Sequence, residues 1–239
     1  MTDYNVLAAG DTALVVDFGN RVDLNVSAKV LALAGRLDAL KIDGVIETVP
    51  TIRSLSIYYE PLAVSAIELE RQVADIVEHL DGASVTGGIR DIPICYDPEL
   101  APDLEHVASQ CNLDPARVIE LHSSRTYHVY MLGFLPGLAY LGDLAPELVL
   151  PRRTTPRPRI PAGSLGIGGK LTCIYPMATP CGWHLIGRSP VSLWDAALAS
   201  GALLRAGDKV KFNPVSLRDY RRMCSDAMIV AAPQADTSH

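Results

Sequence analysis

Within eight residues the chain carries four arginines, Arg152, Arg153, Arg157 and Arg159, set among Pro151, Pro156, Pro158 and Pro161. Proline fixes φ and removes a backbone donor, so the stretch is extended and stiff. Guanidinium groups offer forked donors that match the oxygens of carboxylates and phosphates. Such an array suits an acidic substrate or the phosphates of ATP; the alternative is a solvated basic loop.

Just beyond lies Gly163-Ser164-Leu165-Gly166-Ile167-Gly168-Gly169-Lys170. A phosphate-cradling P-loop needs Gly-x-x-x-x-Gly-Lys-Ser/Thr, and here Ser164 stands where the first glycine belongs and Leu171 where Ser/Thr belongs. Ala162 likewise breaks the Gly-x-Ser-x-Gly nucleophile elbow. These glycines fit close approach of backbones in a tight barrel, with Ser164 and free N–H groups still able to face a pocket. His122, His128 and His184 show no metal-ligand spacing, which predicts no metal site. A His184, Ser164 and Asp195 triad carries no weight without geometry.

Phe134, Leu135, Pro136, Leu138, Tyr140 and Leu141 form an apolar segment hinged by glycines. It can wall a pocket, dock a partner or fill a core, with Phe134 and Tyr140 the residues expected to face outward. Trp183 and Arg188 flank an expected strand and could serve one pocket by stacking and by charge; buried packing suits Trp183 equally.

Around these residues the chain must supply a scaffold. At 239 residues and 49% hydrophobic content it can bury one large or two modest cores. Net charge is -6, but residues 1 to 88 carry 6 basic and 13 acidic side chains whereas residues 89 to 239 carry 15 and 14. The acidic front half disfavours nucleic acid and places any anion site in the second half. The start, Met1-Thr2-Asp3-Tyr4-Asn5, lacks a secretory pattern, no apolar run suits a membrane span, and five cysteines without Cys-x-x-Cys suit reduced thiols. A cytoplasmic location is expected.

Thr12 to Phe18 reads as a strand, and Val26, Val30, Leu33 and Leu37 recur at helical spacing. Val45 to Val49 and Leu55 to Tyr59 read as strands, Leu69, Val73, Ile76, Val77 and Leu80 as one face of a second helix, and Ile89 to Cys95 as a last strand. The order βαββαβ is that of a ferredoxin-like sandwich. Asp81 to Gly88, small and glycine-rich, is the expected linker. It divides a domain at 1–84 from one at 88–239. In the latter, short helices are expected at Asp103 to Cys111 and Asp114 to His122, the second with Asp114 as N-cap and Pro115 in its first turn. Short strands follow at Thr126 to Leu132, Leu165 to Ile167, Leu171 to Tyr175, Trp183 to Ile186 and Lys209 to Phe212. The class is α+β, ending in a closed or nearly closed antiparallel barrel.

The series Leu132-Gly133-Phe134-Leu135-Pro136-Gly137-Leu138-Ala139-Tyr140-Leu141-Gly142, Pro151-Arg152-Arg153, Pro161-Ala162-Gly163-Ser164, Thr172-Cys173-Ile174-Tyr175-Pro176 and Gly182-Trp183-His184-Leu185-Ile186-Gly187-Arg188-Ser189-Pro190 resembles the core of the family formed by the B subunit of 5-oxoprolinase. That family is also described as allophanate hydrolase subunit 1 and as the Kip-type inhibitor of a sporulation histidine kinase. Two departures are Cys181-Gly182-Trp183 in place of Gly-Gly-Trp, and Tyr96-Asp97-Pro98-Glu99 in place of Tyr-Gly-Gly-Glu. The resemblance implies a small ferredoxin-like α/β domain followed by a cyclophilin-like antiparallel β-barrel. It implies one subunit, inactive alone, of a heteromeric hydrolase that cleaves 5-oxo-L-proline to L-glutamate with ATP and Mg2+. The implied partners are the C subunit of 5-oxoprolinase, which is of the allophanate hydrolase subunit 2 type, and the A subunit of the same enzyme. Arg152, Arg153, Arg157, Arg159 and Arg188 would then bind substrate or nucleotide, with Ser164 and Thr172 as donors. Two alternatives stay open, a Kip-type inhibitor of a sensor histidine kinase and a hydrolase subunit for allophanate or another urea-derived amide.

Overall fold

The computed structural model describes residues 4–80, 87–197 and 201–231, with side chains of the last helix followed to Asp226. The chain divides into two compact units, residues up to Gly88 with Tyr130–Leu132 and Arg205–Asp208, and the remainder. The expected linker falls mostly on 81–86, outside the described residues.

In the first unit the elements are β1 (Asn5–Ala8), β2 (Ala13–Asp17), α1 (Leu24–Leu40), β3 (Val45–Pro50), β4 (Ser54–Tyr59) and α2 (Ala66–Glu78). Helix α1 starts where the Asp23 carboxylate accepts from the N–H groups of Asn25 and Val26, and α2 where Ser65 accepts from Glu68 N–H. Both helices bury the stripes that the apolar spacing marks, Val30, Leu33 and Leu37 on α1 and Leu69, Val73 and Val77 on α2, into one core with Leu14, Val16, Leu55 and Ile57 of the sheet. The sheet is antiparallel in the order β1-β2-β4-β3. This is a ferredoxin-like sandwich with one correction to the expected strands. Ile89–Ile94 does not complete this sheet; β1 takes the edge beside β2 that the last strand of βαββαβ would occupy.

The second unit contains β5 (Ile89–Ile94), α3 (Leu104–Cys111), α4 (Pro115–Ser123), β6 (Thr126–Leu132), β7 (Ala139–Gly142), β8 (Arg157–Ile160), β9 (Ser164–Gly168), β10 (Leu171–Ile174), β11 (Thr179–Cys181), β12 (His184–Arg188), β13 (Lys209–Pro214) and α5 (Leu217–Ala231). Seven strands run in the order β12-β9-β10-β7-β6-β13-β5. The end strands then meet: Cys95 N–H donates to Arg188 O and Arg188 N–H to Cys95 O, each at 2.9 Å. That seam closes the sheet, and it passes Gly187, where a Cβ would lie 2.9 Å from the Ile94 side chain and 3.0 Å from Cys95 O. Strands β8 and β11 pair as a separate ribbon. Helix α4 begins as its sequence dictates, with Asp114 accepting from Arg117 N–H at 2.8 Å and Pro115 in the first turn. No helix among the described residues is long and apolar enough to cross a membrane.

Candidate functional site

The arginine-rich stretch is held at both ends of its backbone. Leu150 pairs with Gly169, Arg153 N–H donates to Gly182 O at 2.8 Å, and Arg157 and Ile160 pair with β11. Its four guanidinium groups then part company. Arg157 grips the Asp103 carboxylate with both forks, at 2.8 and 2.7 Å, and Arg153 adds Nη1 at 3.0 Å. Leu185 N–H supplies a fourth donor to the same carboxylate at 2.7 Å. Asp103 is 3% exposed, and burial raises its pKa. Its hydrogen bonds with Arg157 and Leu185 N–H, and the charges of both arginines, outweigh burial and hold it below the usual carboxylate range. Asp103 is also the N-cap residue of α3 but makes no side-chain cap bond, because its oxygens are already committed.

Arg152 and Arg159 are exposed and have no carboxylate partner among the described residues. Arg152 lies over the Trp183 indole, 5.7 Å from the ring centroid. It also belongs to the walls of two hollows. The first, about 120 Å³, is lined by Phe134, Tyr140, Cys173, Tyr175, Cys181 and Trp183 among others. The second, about 330 Å³, lies among His106 and Gln110 of α3, the segment Leu150 to Thr155, and His184.

Glycine shapes the first hollow. Trp183 packs so closely on β9 that a Cβ at Gly168 would sit 2.9 Å from two indole carbons. Gly168 therefore makes room for a side chain, the indole, whereas the close backbone approach expected of the run occurs at Gly163, against Ser189 O. Tyr140 meets Trp183 edge-on at 6.1 Å and is half-buried. Phe134 is 66% exposed and holds φ at 71°, an unusual backbone region for a bulky residue. Cys181 is not among the described residues with positive φ, so replacing glycine there imposes no backbone strain. Its thiol instead bonds Tyr175 Oη at 3.2 Å. Burial pushes the Cys173 thiol and the Tyr175 phenol up, so neither is primed as an anion.

The second hollow carries polar side chains on a partly apolar wall. His184 is buried, its Nε2 lies 3.0 Å from Pro151 O, and its ring stacks on His106 at 5.6 Å.

Five of the expected ligand residues, Arg157, Arg159, Ser164, Thr172 and Arg188, line neither hollow. Ser164 is buried and donates Oγ–H to Pro161 O at 2.7 Å. Thr172 is buried in a hydrogen-bonded chain: Tyr96 Oη to His122 Nδ1 at 2.8 Å, His122 Nε2 to Thr172 Oγ1 at 3.1 Å, and Thr172 Oγ1 to Gly166 O at 3.1 Å. Burial lowers the pKa of His122 to about 3. Arg188 donates Nε–H to Ala162 O at 2.8 Å beside the barrel seam, so the cation over Trp183 is Arg152 instead. Nor is a triad assembled, since Asp195 accepts from Ala197 N–H and the Ser164 hydroxyl is spent on Pro161 O. Tyr96 is 6% exposed.

Sequence reasoning passed over His106, Gln110, Tyr175 and the carboxylate of Asp103. The last had a signal of sorts: an aspartate at a helix start is ordinarily read as a cap, and only the fold brings it to arginines fifty residues away. Among the described residues no three His, Cys, Asp or Glu side chains converge as a metal site. The carboxylate paired with the arginines, Asp103, is fully engaged with four N–H donors. This donor set does not fit a magnesium ion, whereas exposed Arg152 fits an anionic oxygen.

The family model described as carboxyltransferase domain, subdomain C and D matches residues 4–204. The chain is 38% identical over 231 residues to the B subunit of 5-oxoprolinase from Bacillus subtilis, covering 91% of this chain and 95% of that protein. It is 41% identical over 208 residues to the B subunit of 5-oxoprolinase from Escherichia coli O157:H7, covering 86% and 93%. Among solved structures, that of TTHA0988 superposes with a TM-score of 0.77 at 35% identity, covering 85% of this chain and 40% of that one. The chain thus spans well under half the length of TTHA0988.

Proposed function

The chain belongs to the family of 5-oxoprolinase B subunits, and from this we propose that it is the barrel-bearing subunit of a heteromeric, ATP-dependent hydrolase that opens 5-oxo-L-proline to L-glutamate. The observation that carries the reading on this chain is Arg152, an exposed guanidinium without a carboxylate partner, seated on Trp183 and common to two adjoining hollows. A lactam is a poor electrophile; ATP would supply phosphorylation of its oxygen, after which water would add to the ring carbon, the ring C–N bond would break as its nitrogen takes up a proton, and a second water would release phosphate from the resulting acyl phosphate. Such chemistry rests on positioning and on neutralising anionic charge, which is what a fixed arginine contributes.

Within this reading Arg152 holds the substrate carboxylate or a phosphoryl oxygen, and the aromatic hollow receives apolar ring atoms. The Cys173 thiol and the Tyr175 phenol are held in their neutral forms by burial and serve as walls rather than nucleophiles. Sites for nucleotide and magnesium would be completed by partners of the C and A types, since the described residues of this chain offer no magnesium ligand set. The work of such a complex would be cytoplasmic.

The test is glutamate formation from 5-oxoproline with ATP and Mg2+, by the purified chain and by the chain reconstituted with both partner subunits. Turnover is expected only in the reconstituted complex. Absence of any 5-oxoproline-dependent ATP hydrolysis by that complex overturns the reading.

A further inference from the structure

Among the described residues, two buried side-chain polar atoms have no hydrogen-bond partner, Nε of Arg153 and Nδ1 of His184. Both residues line the same 330 Å³ hollow. Unpaired buried polar groups are rare and costly in native proteins, so two in one cavity wall call for a common cause. Neither side chain is free to turn. Arg153 is fixed by Nη1 on Asp103 and by its N–H on Gly182 O. His184 is fixed by Nε2 on Pro151 O and by the His106 ring. A carbonyl oxygen only accepts, so Nε2 carries a hydrogen, and in the tautomer with its hydrogen there Nδ1 presents a lone pair. Arginine Nε only donates. One orphan therefore lacks an acceptor and the other lacks a donor.

We propose that this hollow reads the edge of a cis amide: its carbonyl accepts from Arg153 Nε–H, its N–H donates to His184 Nδ1, and a carboxylate on the same molecule pairs with Arg152. Lactams and ureides carry N–H and C=O on one edge. Ordinary trans peptide groups carry them on opposite edges and do not fit. Both atoms are shielded from solvent, so the ligand reaches them as the other lining side chains adjust around the fixed pair, a common response at binding surfaces. The site rests on the functional reading above and sharpens it, because it assigns amide recognition to His184 and Arg153 and confines Arg152 to the carboxylate. The competing occupant is an ordered water, which can also satisfy one donor and one acceptor.

Chemical cycles separate the two. The probes are 5-oxo-L-proline, its N-methyl derivative, its carboxamide, and N-carbamoylglycine as an acidic ureide, titrated calorimetrically into the full chain alone and assembled with its partner subunits. For the wild type, N-methylation is expected to weaken binding roughly tenfold or more. His184→Phe should bind the methylated and unmethylated lactams equally, and Arg152→Gln should bind acid and carboxamide equally. Each comparison is a ratio within one variant, so loss of stability does not imitate it, and exposed Arg152 gives a second cycle should the phenylalanine variant fail to fold. The preference between lactam and ureide identifies which source of the cis amide the hollow serves. Indifference of the wild type to N-methylation, discrimination retained in His184→Phe, or no binding of either amide in any assembly overturns the proposal in favour of water only. Binding with this pattern but without ATP-dependent turnover keeps the site and removes the oxoprolinase reading; turnover without His184-dependent discrimination does the reverse.

Discussion

Arg157 clasps Asp103 in a bidentate pair, Nη1 to Oδ2 at 2.8 Å and Nη2 to Oδ1 at 2.7 Å, beneath a stretch of chain that sequence presents as four equivalent arginines. The pair ties the arginine segment to the start of α3 and, through Leu185 N–H, to β12. Two of the four arginines, Arg153 and Arg157, are therefore anchored on Asp103.

This division predicts that Asp103→Asn destabilises the protein by about 3 kcal/mol, because Arg153 and Arg157, with side chains 28% and 26% exposed, lose their counter-ion. Chemical denaturation of the variant should show the midpoint fall with little change in slope. A change below about 0.5 kcal/mol would mean that water screens the arginines well enough without the carboxylate.

The same division sorts the arginines by phenotype. Arg152→Ala should weaken binding or turnover in the assembled complex about 10- to 150-fold, the loss of one charge-assisted hydrogen bond, while stability moves by less than about 1 kcal/mol. Arg157→Ala should do the opposite, losing stability through an uncompensated buried Asp103. Arg159→Ala, exposed and lining neither hollow, should change turnover by no more than about two- to threefold. Equal activity losses in all three would restore the cluster to a single binding surface.

Much of the scaffold was legible because local signals and tertiary packing agree. Val30, Leu33 and Leu37 mark a helical stripe that is in fact the buried face of α1, and Asp114-Pro115 is a helix start that α4 uses. The strand Thr126–Leu132 falls where the β-formers Thr126, Tyr127, Val129 and Tyr130 cluster. What failed depended on partners distant in sequence. Nothing local to Ile89–Ile94 says that it pairs in parallel with Lys209–Pro214 rather than with β2, and β1 is only four residues, mostly exposed. In the site, residue type announced arginine chemistry but not its assignment, since Asp103, His106 and His184 come together only through α3 and β12. Ser164 and Thr172 illustrate the converse: their hydroxyls suit ligand binding in type, yet both are consumed by backbone carbonyls inside the barrel.

Gly168 supplies a steric test of the first hollow. A methyl group there would meet the Trp183 indole at 2.9 Å, inside any real Cβ contact, so the ring must shift. Gly168→Ala is expected to cost about 1–3 kcal/mol by overpacking and to displace Trp183 from beneath Arg152. The readout is tryptophan fluorescence together with thermal unfolding; an unchanged emission spectrum and midpoint would show that the indole has room that the packing denies it.

The His122 network predicts an acid sensitivity with a definite direction. The ring is fully buried, stacked on Phe212 at 4.9 Å, and bonded to Tyr96 and Thr172, and burial lowers its pKa from the ordinary 6.5 to about 3. Folding therefore keeps His122 neutral where the unfolded chain would take up a proton. The stability this confers is fully present above about pH 6.5 and is lost as pH falls from there toward 3, at up to about 1.4 kcal/mol per pH unit. Burial also lowers His128, with the same sign, whereas Asp103 loses its stabilising ionisation only below about 3.8. Urea unfolding of wild type and His122→Phe at pH 7.5, 6.0, 5.0 and 4.5 isolates the contribution. The variant should be less stable at pH 7.5, because Tyr96 and Thr172 lose a partner, yet its stability should fall less steeply with acid. Parallel pH profiles for the two proteins would place the acid sensitivity elsewhere in the barrel.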